Sequence, residues 1–224
     1  MRIGVVCAME DEISLLRHYL GKEKKRTNNG IGISEYIYEG HSVFLAVSGI
    51  GKVFASMATS ILLSTYKCDL ILNTGLAGSC DSGLMPGDSV LVNKVFFHDF
   101  DERIYEDVNK GFDSDVNLLK LSSDAVLQLG LKYKLGVCAT GDVFVDDSIK
   151  KDAIITKTGC KCIEMELAAI AQACKAFSVP FVSLKVISDN ADENAEGDFD
   201  IGIEKFTKIS ADYIMKMIEL LLSD

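Results

Sequence analysis

Short β-branched runs separated by helix-length amphipathic segments recur along the chain, and this alternation restricts the fold more than any other feature. Residues 3–7, 70–73, 89–97, 135–139 and 180–187 predict buried strands. Residues 9–20, 51–66, 118–131, 164–177 and 203–222 predict the helices between and after them. Within 9–20, Met9, Ile13, Leu16 and Leu20 share one helical face, while Glu10, Asp11 and Glu12 occupy the first turn, where the helix dipole favours acids. Within 203–222, Phe206, Ile209, Tyr213, Met217, Leu220 and Leu221 form the apolar stripe. Residues 33–39 and 42–47, separated by Gly40-His41, predict a hairpin, so the sheet is mixed rather than purely parallel. The expected fold is α/β: three α/β/α layers around a central mixed β-sheet, as one domain over residues 1–224.

Composition narrows the function. The chain has 224 residues, 48% of them apolar, enough for one large core with no linker, repeat or low-complexity tract to divide it. Its net charge is −10, and the one basic run, Lys22-Glu23-Lys24-Lys25-Arg26, is short and interrupted; it reads as a solvated loop. Nucleic acid, which is gripped by clustered Lys and Arg, is not an expected partner. Neither a signal-peptide pattern nor an apolar stretch of the ~20 residues needed to span a bilayer is visible, so the expected compartment is the cytoplasm, with no membrane partner. The seven cysteines are scattered, odd in number and set mostly in apolar segments, unlike a disulfide framework. Cys160-Lys161-Cys162 finds no histidine pair at ligand spacing, since the three histidines stand at 18, 41 and 98. No metal and no cofactor is expected.

In α/β folds ligands gather at the C-terminal ends of strands, where Glu12, residues 74–79, Gly141-Asp142 and Ser188-Asp189 fall, and four motifs stand out along the chain. Ala8-Met9-Glu10-Asp11-Glu12 is a carboxylate cluster at a strand-to-helix junction; it suits either the helix dipole or a base that polarises water. Asn73-Thr74-Gly75-Leu76-Ala77-Gly78-Ser79 reads as a glycine-rich turn, able to bring backbone close to a ligand. Glu164-Met165-Glu166 opens a predicted helix, and a buried carboxylate there could take both hydroxyls of a ribose as readily as it could complement the dipole. Val186-Ile187-Ser188-Asp189 ends an apolar strand on a carboxylate; as Ser-Asp-Asn it is also an ordinary turn.

Taken together, these motifs resemble those of the 5′-methylthioadenosine/S-adenosylhomocysteine nucleosidases, of the purine nucleoside phosphorylase-like superfamily. The resemblance runs from Arg2 into the C-terminal helix, and its landmarks also include Ser48-Gly49-Ile50-Gly51-Lys52 and Gly141-Asp142-Val143-Phe144. It implies a phosphorylase/hydrolase-like fold, a homodimer whose partner helps close the pocket, and thioadenosine substrates, with 5′-deoxyadenosine as a further candidate. It also implies roles. Asp189 would protonate adenine N7 with help from Ser188, and Glu12 would deprotonate the attacking water. Glu166 would hold the ribose hydroxyls, with Met165 beneath the sugar. Phe144 would stack on adenine, the backbone of Val145 would read the edge of the base, and Gly78 would line the substrate site. Met9, Ile50 and Phe199 would line the 5′-alkylthio pocket, and Lys185 would stand near the water, where bacterial members commonly carry arginine. Leu76 replaces a small hydroxyl residue often found in its turn, and residues 102–113 lack the family's aromatic and apolar pattern.

The chemistry stands without the family. Cleaving a purine N-glycosidic bond builds positive charge on the sugar and leaves electrons on the base, so an acid at the base and a base at the water are both useful. An acid that stays protonated near neutrality must be buried. Phosphorolysis would require a cradle for a phosphate dianion, usually built with arginines. The chain has four, at 2, 17, 26 and 103, and only Arg103 lies near a candidate segment; Glu10-Asp11-Glu12 would repel the anion. Water is the expected nucleophile. The competing readings are a futalosine hydrolase, an adenosine phosphorylase, and a purine-binding module without turnover.

Overall fold

Strand β1 (Arg2–Cys7) pairs in parallel with β4 (His41–Val47) on one side and β5 (Leu70–Ser79) on the other. This computed structural model describes residues 1–28, 30–101, 103 and 109–223, without the side chains of 28 and 196–203. Beyond β5 comes β10 (Phe181–Asp189), parallel to it and antiparallel to β6 (Ser89–Phe97), which in turn runs parallel to β8 (Tyr133–Thr140). The short β9 (Cys162–Glu164) bridges β8 and β5, closing five strands into a ring. At the far edge β3 (Gly32–Tyr38) and β2 (Lys25–Asn28) continue the sheet antiparallel, and β7 (Phe112–Asp113) pairs with β6.

Helices cover both faces, which is why the central strands read as apolar runs rather than alternating ones. On one face α1 (Asp11–Leu20), α3 (Val116–Gln128) and α6 (Ala195–Ser223) pack on Ile3, Val5 and Cys7 of β1 and Val182 and Leu184 of β10. On the other, α2 (Lys52–Ser64) and α5 (Leu167–Phe177) pack on Val6, Phe181 and Ile187. The period-two alternation of a strand thus sends neighbouring residues into opposite layers. A smaller cluster places α4 (Ser148–Thr158) over Ala139 and Ile163. The three-layer α/β/α expectation holds, with the ring as an addition the sequence does not announce.

Several local expectations are corrected. The glycine-rich motif after residue 73 is not a turn: β5 continues to Ser79, buried throughout. Its glycines serve close packing within a strand, as the site makes plain. Residues 164–166 do not open a helix, because Glu164 ends β9 and α5 starts at Leu167. The hairpin turns on Glu39-Gly40, both at positive φ, not on Gly40-His41. Lys25 and Arg26, read as loop, are solvated but paired in the edge strand β2. The C-terminal helix begins at Ala195, ahead of the expected 203, and α4 was not foreseen. Of the acidic 99–115 stretch, Asp115 caps α3 by accepting from the N–H groups of Asn117 and Leu118 at 2.9 and 3.0 Å. Residues 102 and 104–108 lie outside the described residues, as does the side chain of Phe199.

Candidate active site

A cavity of about 240 Å³ opens where β1, β5 and β10 end, and Glu12, Glu164, Glu166 and Asp189 all line it. Four carboxyl groups around one cavity repel one another and lose hydration, so each needs its own compensation.

Glu12 finds it in main-chain N–H groups. The loop from β1 into α1 turns so that its Oε2 accepts from Ala8 and Met9 at 2.9 and 3.0 Å, while Oε1 accepts from Leu76 of β5 at 3.1 Å. Only Gly at 75 permits this, since a Cβ there would lie 2.7 Å from Oε1. Burial raises the Glu12 carboxyl above its ordinary value, and these amides together with Lys185 oppose the rise. The group is 3% exposed and aimed into the cavity, as a base for one enclosed water would be.

Asp189 is delivered by an irregularity in β10. Ile187 pairs with Ala77 but Asp189 with Gly78, so Ser188 is an extra residue on one strand, a β-bulge. The bulge lets the Ser188 hydroxyl donate to Asp189 Oδ2 at 2.7 Å, while the N–H of Ala191 donates to Oδ1 at 2.7 Å. Gly78 makes room, because a Cβ would lie 2.9 Å from Oδ1 and 2.8 Å from the Ala191 methyl. Beneath the floor, Asn73 ties three strands together, donating to Val6 O at 2.8 Å and accepting from Ser183 Oγ at 2.7 Å.

Glu164 and Glu166 divide the remaining work. Glu164 caps α5, accepting from the N–H groups of Glu166 at 3.1 Å and Leu167 at 2.9 Å, and it takes the Thr140 hydroxyl as well. Lys185 is 2% exposed and reaches it at 2.9 Å. Lys185 is not among the residues lining the cavity, although its charge acts on the Glu12 carboxyl. The reason is electrostatic: a buried ammonium is stable only against a carboxylate, and Glu164 is the one it meets. Burial works against the Lys185 charge, but Glu164 and Glu166 outweigh it and its pKa is raised. Glu166 accepts from Gly51 N–H at 2.7 Å, and burial, reinforced by the charge of Glu164, pushes its carboxyl up to about 8.

The walls are apolar. Met9, Ile50, Gly78, Phe144, Val145, Met165 and Ser188 line the cavity, while the side chain of Phe199 lies outside the described residues. Sequence reasoning missed Ala8, Ala77, Val143, Ile163 and Ala191 as lining residues, along with Glu164 as the carboxylate that holds the lysine. For Glu164 a signal existed in Glu164-Met165-Glu166, since the motif offers two acids and the ribose role takes only one. No arginine is among the described lining residues. Arg103 pairs with Asp101 at 2.6 Å and Arg17 with Glu10 at 2.8 Å.

Buried acids at strand ends, glycines that leave room for them and an apolar cleft mark this cavity as the candidate active site of an α/β protein. Residues 2–223 match the phosphorylase superfamily. A 5′-methylthioadenosine/S-adenosylhomocysteine nucleosidase from Lysinibacillus sphaericus is 36% identical, covering 97% of this chain and 99% of that one. The Neisseria meningitidis nucleosidase of that name, solved with methylthio-immucillin-A, is 33% identical with a TM-score of 0.93, over 97% and 98% of the two chains. Futalosine hydrolase from Helicobacter pylori is 28% identical with a TM-score of 0.94, over 98% and 97%. The chain belongs to the phosphorylase superfamily and, within it, to the 5′-methylthioadenosine/S-adenosylhomocysteine nucleosidase family.

Proposed function

We propose that this protein is an N-glycosyl hydrolase that cleaves 5′-methylthioadenosine and S-adenosylhomocysteine, releasing adenine and the thioribose product. The observation that carries the reading is the opening of Glu12, Glu166 and Asp189, from three distant segments, into one apolar-walled cavity. Asp189 hands a proton to N7 as the glycosidic bond breaks, so the electron pair left on adenine is neutralised. Glu12 takes a proton from the water that captures the sugar. Glu166 accepts from the ribose hydroxyls, with Met165 beneath the ring. Phe144 stacks on adenine, Val145 offers its backbone to the base edge, and Met9 and Ile50 enclose the 5′-alkylthio group. The absence of arginine among the described lining residues, with Glu12 at the nucleophile's position, supports water over phosphate.

We further infer a homodimer, on the ground that α2 exposes Val53, Phe54 and Met57 beside Ile50 at the cavity mouth. A sedimentation mass equal to one chain would rule that out. Residues 1–224 act as a single domain in this reading. Seven unpaired cysteines suit the reducing cytoplasm as its compartment.

The test is adenine release from both thioadenosines, with and without phosphate, by the wild-type protein and Asp189→Asn. The reading expects phosphate-independent release and a loss of about 100-fold or more in the variant, the scale of general acid catalysis. Equal rates would remove Asp189 from the mechanism, and formation of a ribose 1-phosphate would make the protein a phosphorylase. Futalosine belongs in the same assay, given the Helicobacter pylori hydrolase's superposition.

A further inference from the structure

Two landmarks of the sequence, Gly51-Lys52 and Gly141-Asp142, meet a third segment at the cavity mouth. Lys52 Nζ donates to both oxygens of Asp99, at 2.7 and 2.6 Å, and lies 3.5 Å from Asp142 Oδ2. The Lys52 N–H donates to Asp142 Oδ1 at 2.8 Å, and the Asp142 N–H to Asp99 Oδ2 at 2.9 Å. Each residue thus bonds the other two, in a closed ring of three segments. None of the three is among the residues lining the cavity.

What the ring holds is on both sides of it. Lys52 follows Gly51, whose N–H is the donor to Glu166. Asp142 precedes Val143 and Phe144, which form the exposed wall. Two glycines permit the closeness. A Cβ at Gly51, whose φ is +100°, would lie 3.1 Å from Asp142 Oδ1, and a Cβ at Gly141 would strike the His98 ring. Burial alone would raise the Asp99 carboxyl, yet Lys52 and the Asp142 N–H bring it below its ordinary value, so the ring is charged at neutral pH.

We propose that Lys52, Asp99 and Asp142 form a positioning clamp that fixes the Phe144 loop against the Gly51–Glu166 contact and thereby sets nucleoside affinity, not the rate of bond cleavage. The proposal rests on the assignment of Glu166 to the ribose and Phe144 to the base. Those contacts are made in the bound ground state and the transition state alike, so loosening them weakens binding uniformly and appears in KM. Glu12 and Asp189 are held by other groups, from Ala8, Met9, Leu76, Ser188 and Ala191.

Lys52→Met, Lys52→Arg and Asp99→Asn would be compared with wild type by adenine-release kinetics, and by calorimetric titration with methylthio-immucillin-A. Lys52→Met and Asp99→Asn should each raise KM and the Kd of the analogue about tenfold, the scale of one lost charge-assisted hydrogen bond. Their kcat should stay within about threefold of wild type, and Lys52→Arg should recover most of the affinity. Unchanged Kd in both variants, or a fall in kcat at constant KM, would overturn the clamp. A merely structural role would lower Tm without this split or rescue. Should wild type release no adenine, the proposed activity fails, and the analogue titration still decides the clamp. If Lys52→Met does not fold, the isosteric Asp99→Asn decides.

Discussion

Glu12 and Asp189 at the floor of the cavity are 3% and 2% exposed, whereas Ile50 and Phe144 at its rim are 57% and 43% exposed. The floor groups sit on β10 or at the start of α1, and main-chain N–H groups and one serine hydroxyl hold their oxygens. The rim groups sit on loops fastened by side-chain ions. The difference is one of rigidity. Strand ends tied through Asn73 cannot shift without breaking the sheet, so a carboxyl group there stays aimed. A loop held by side chains at the rim can shift without disturbing the sheet, so loosening it leaves the floor groups in place. In the proposed reading, chemistry belongs to the floor and affinity to the rim.

The sharpest way to break this comparison is to disturb the floor without touching an acid. Gly78→Ala pushes a methyl against Asp189 Oδ1 and Ala191, with little freedom to yield. Displacement of the acid by a fraction of an ångström should lower kcat about 30- to 100-fold. Stopped-flow adenine release would measure it, and a change confined to KM would show that the floor is softer than argued. A smaller effect is expected at the rim. Phe144→Leu keeps an apolar side chain but loses the aromatic face, so KM should rise about 5- to 20-fold with kcat nearly constant. A kcat loss matching that of Gly78→Ala would merge the two regions.

The smallest effect concerns stability. The Glu166 carboxyl is raised in the folded chain to about 8 from an ordinary 4.5. A raised carboxyl favours the folded state below its unfolded value, and that advantage is lost as pH rises through the folded one. The melting temperature of the ligand-free protein should therefore decline by a few degrees between about pH 5 and 9, and Glu166→Gln should flatten that slope. A parallel decline in both proteins would assign the titration elsewhere.

Much of this was legible in order along the chain. The strands β1, β6, β8 and β10 could be read from short apolar runs, and the acids at positions 12 and 189 from their place after such runs, whereas Glu166 stood out through its motif and the family resemblance. Gly75 and Gly78 misled, because glycine signals a turn and an intrusion by a distant side chain equally well; only Glu12 and Asp189 arriving from other segments distinguish the two. The partner of Lys185 was hidden for a similar reason. The lysine's position matched a site residue, but a buried charge goes to the carboxylate that solvates it, and which one that is depends on β9 lying beside β10's neighbour β5.

The sequence by itself determined the layered α/β plan, the strand ends as the place for ligands, and the carboxyl groups available there. Periodicity and local chemistry are short-range properties, written in consecutive residues. Only the tertiary structure decided the Ser188 bulge, the lysine's partner, the five-strand ring and the clamp joining residues 52, 99 and 142. Each of these is a contact between segments far apart in the chain. Their energies come from desolvation and register, which exist only once the chain has closed on itself.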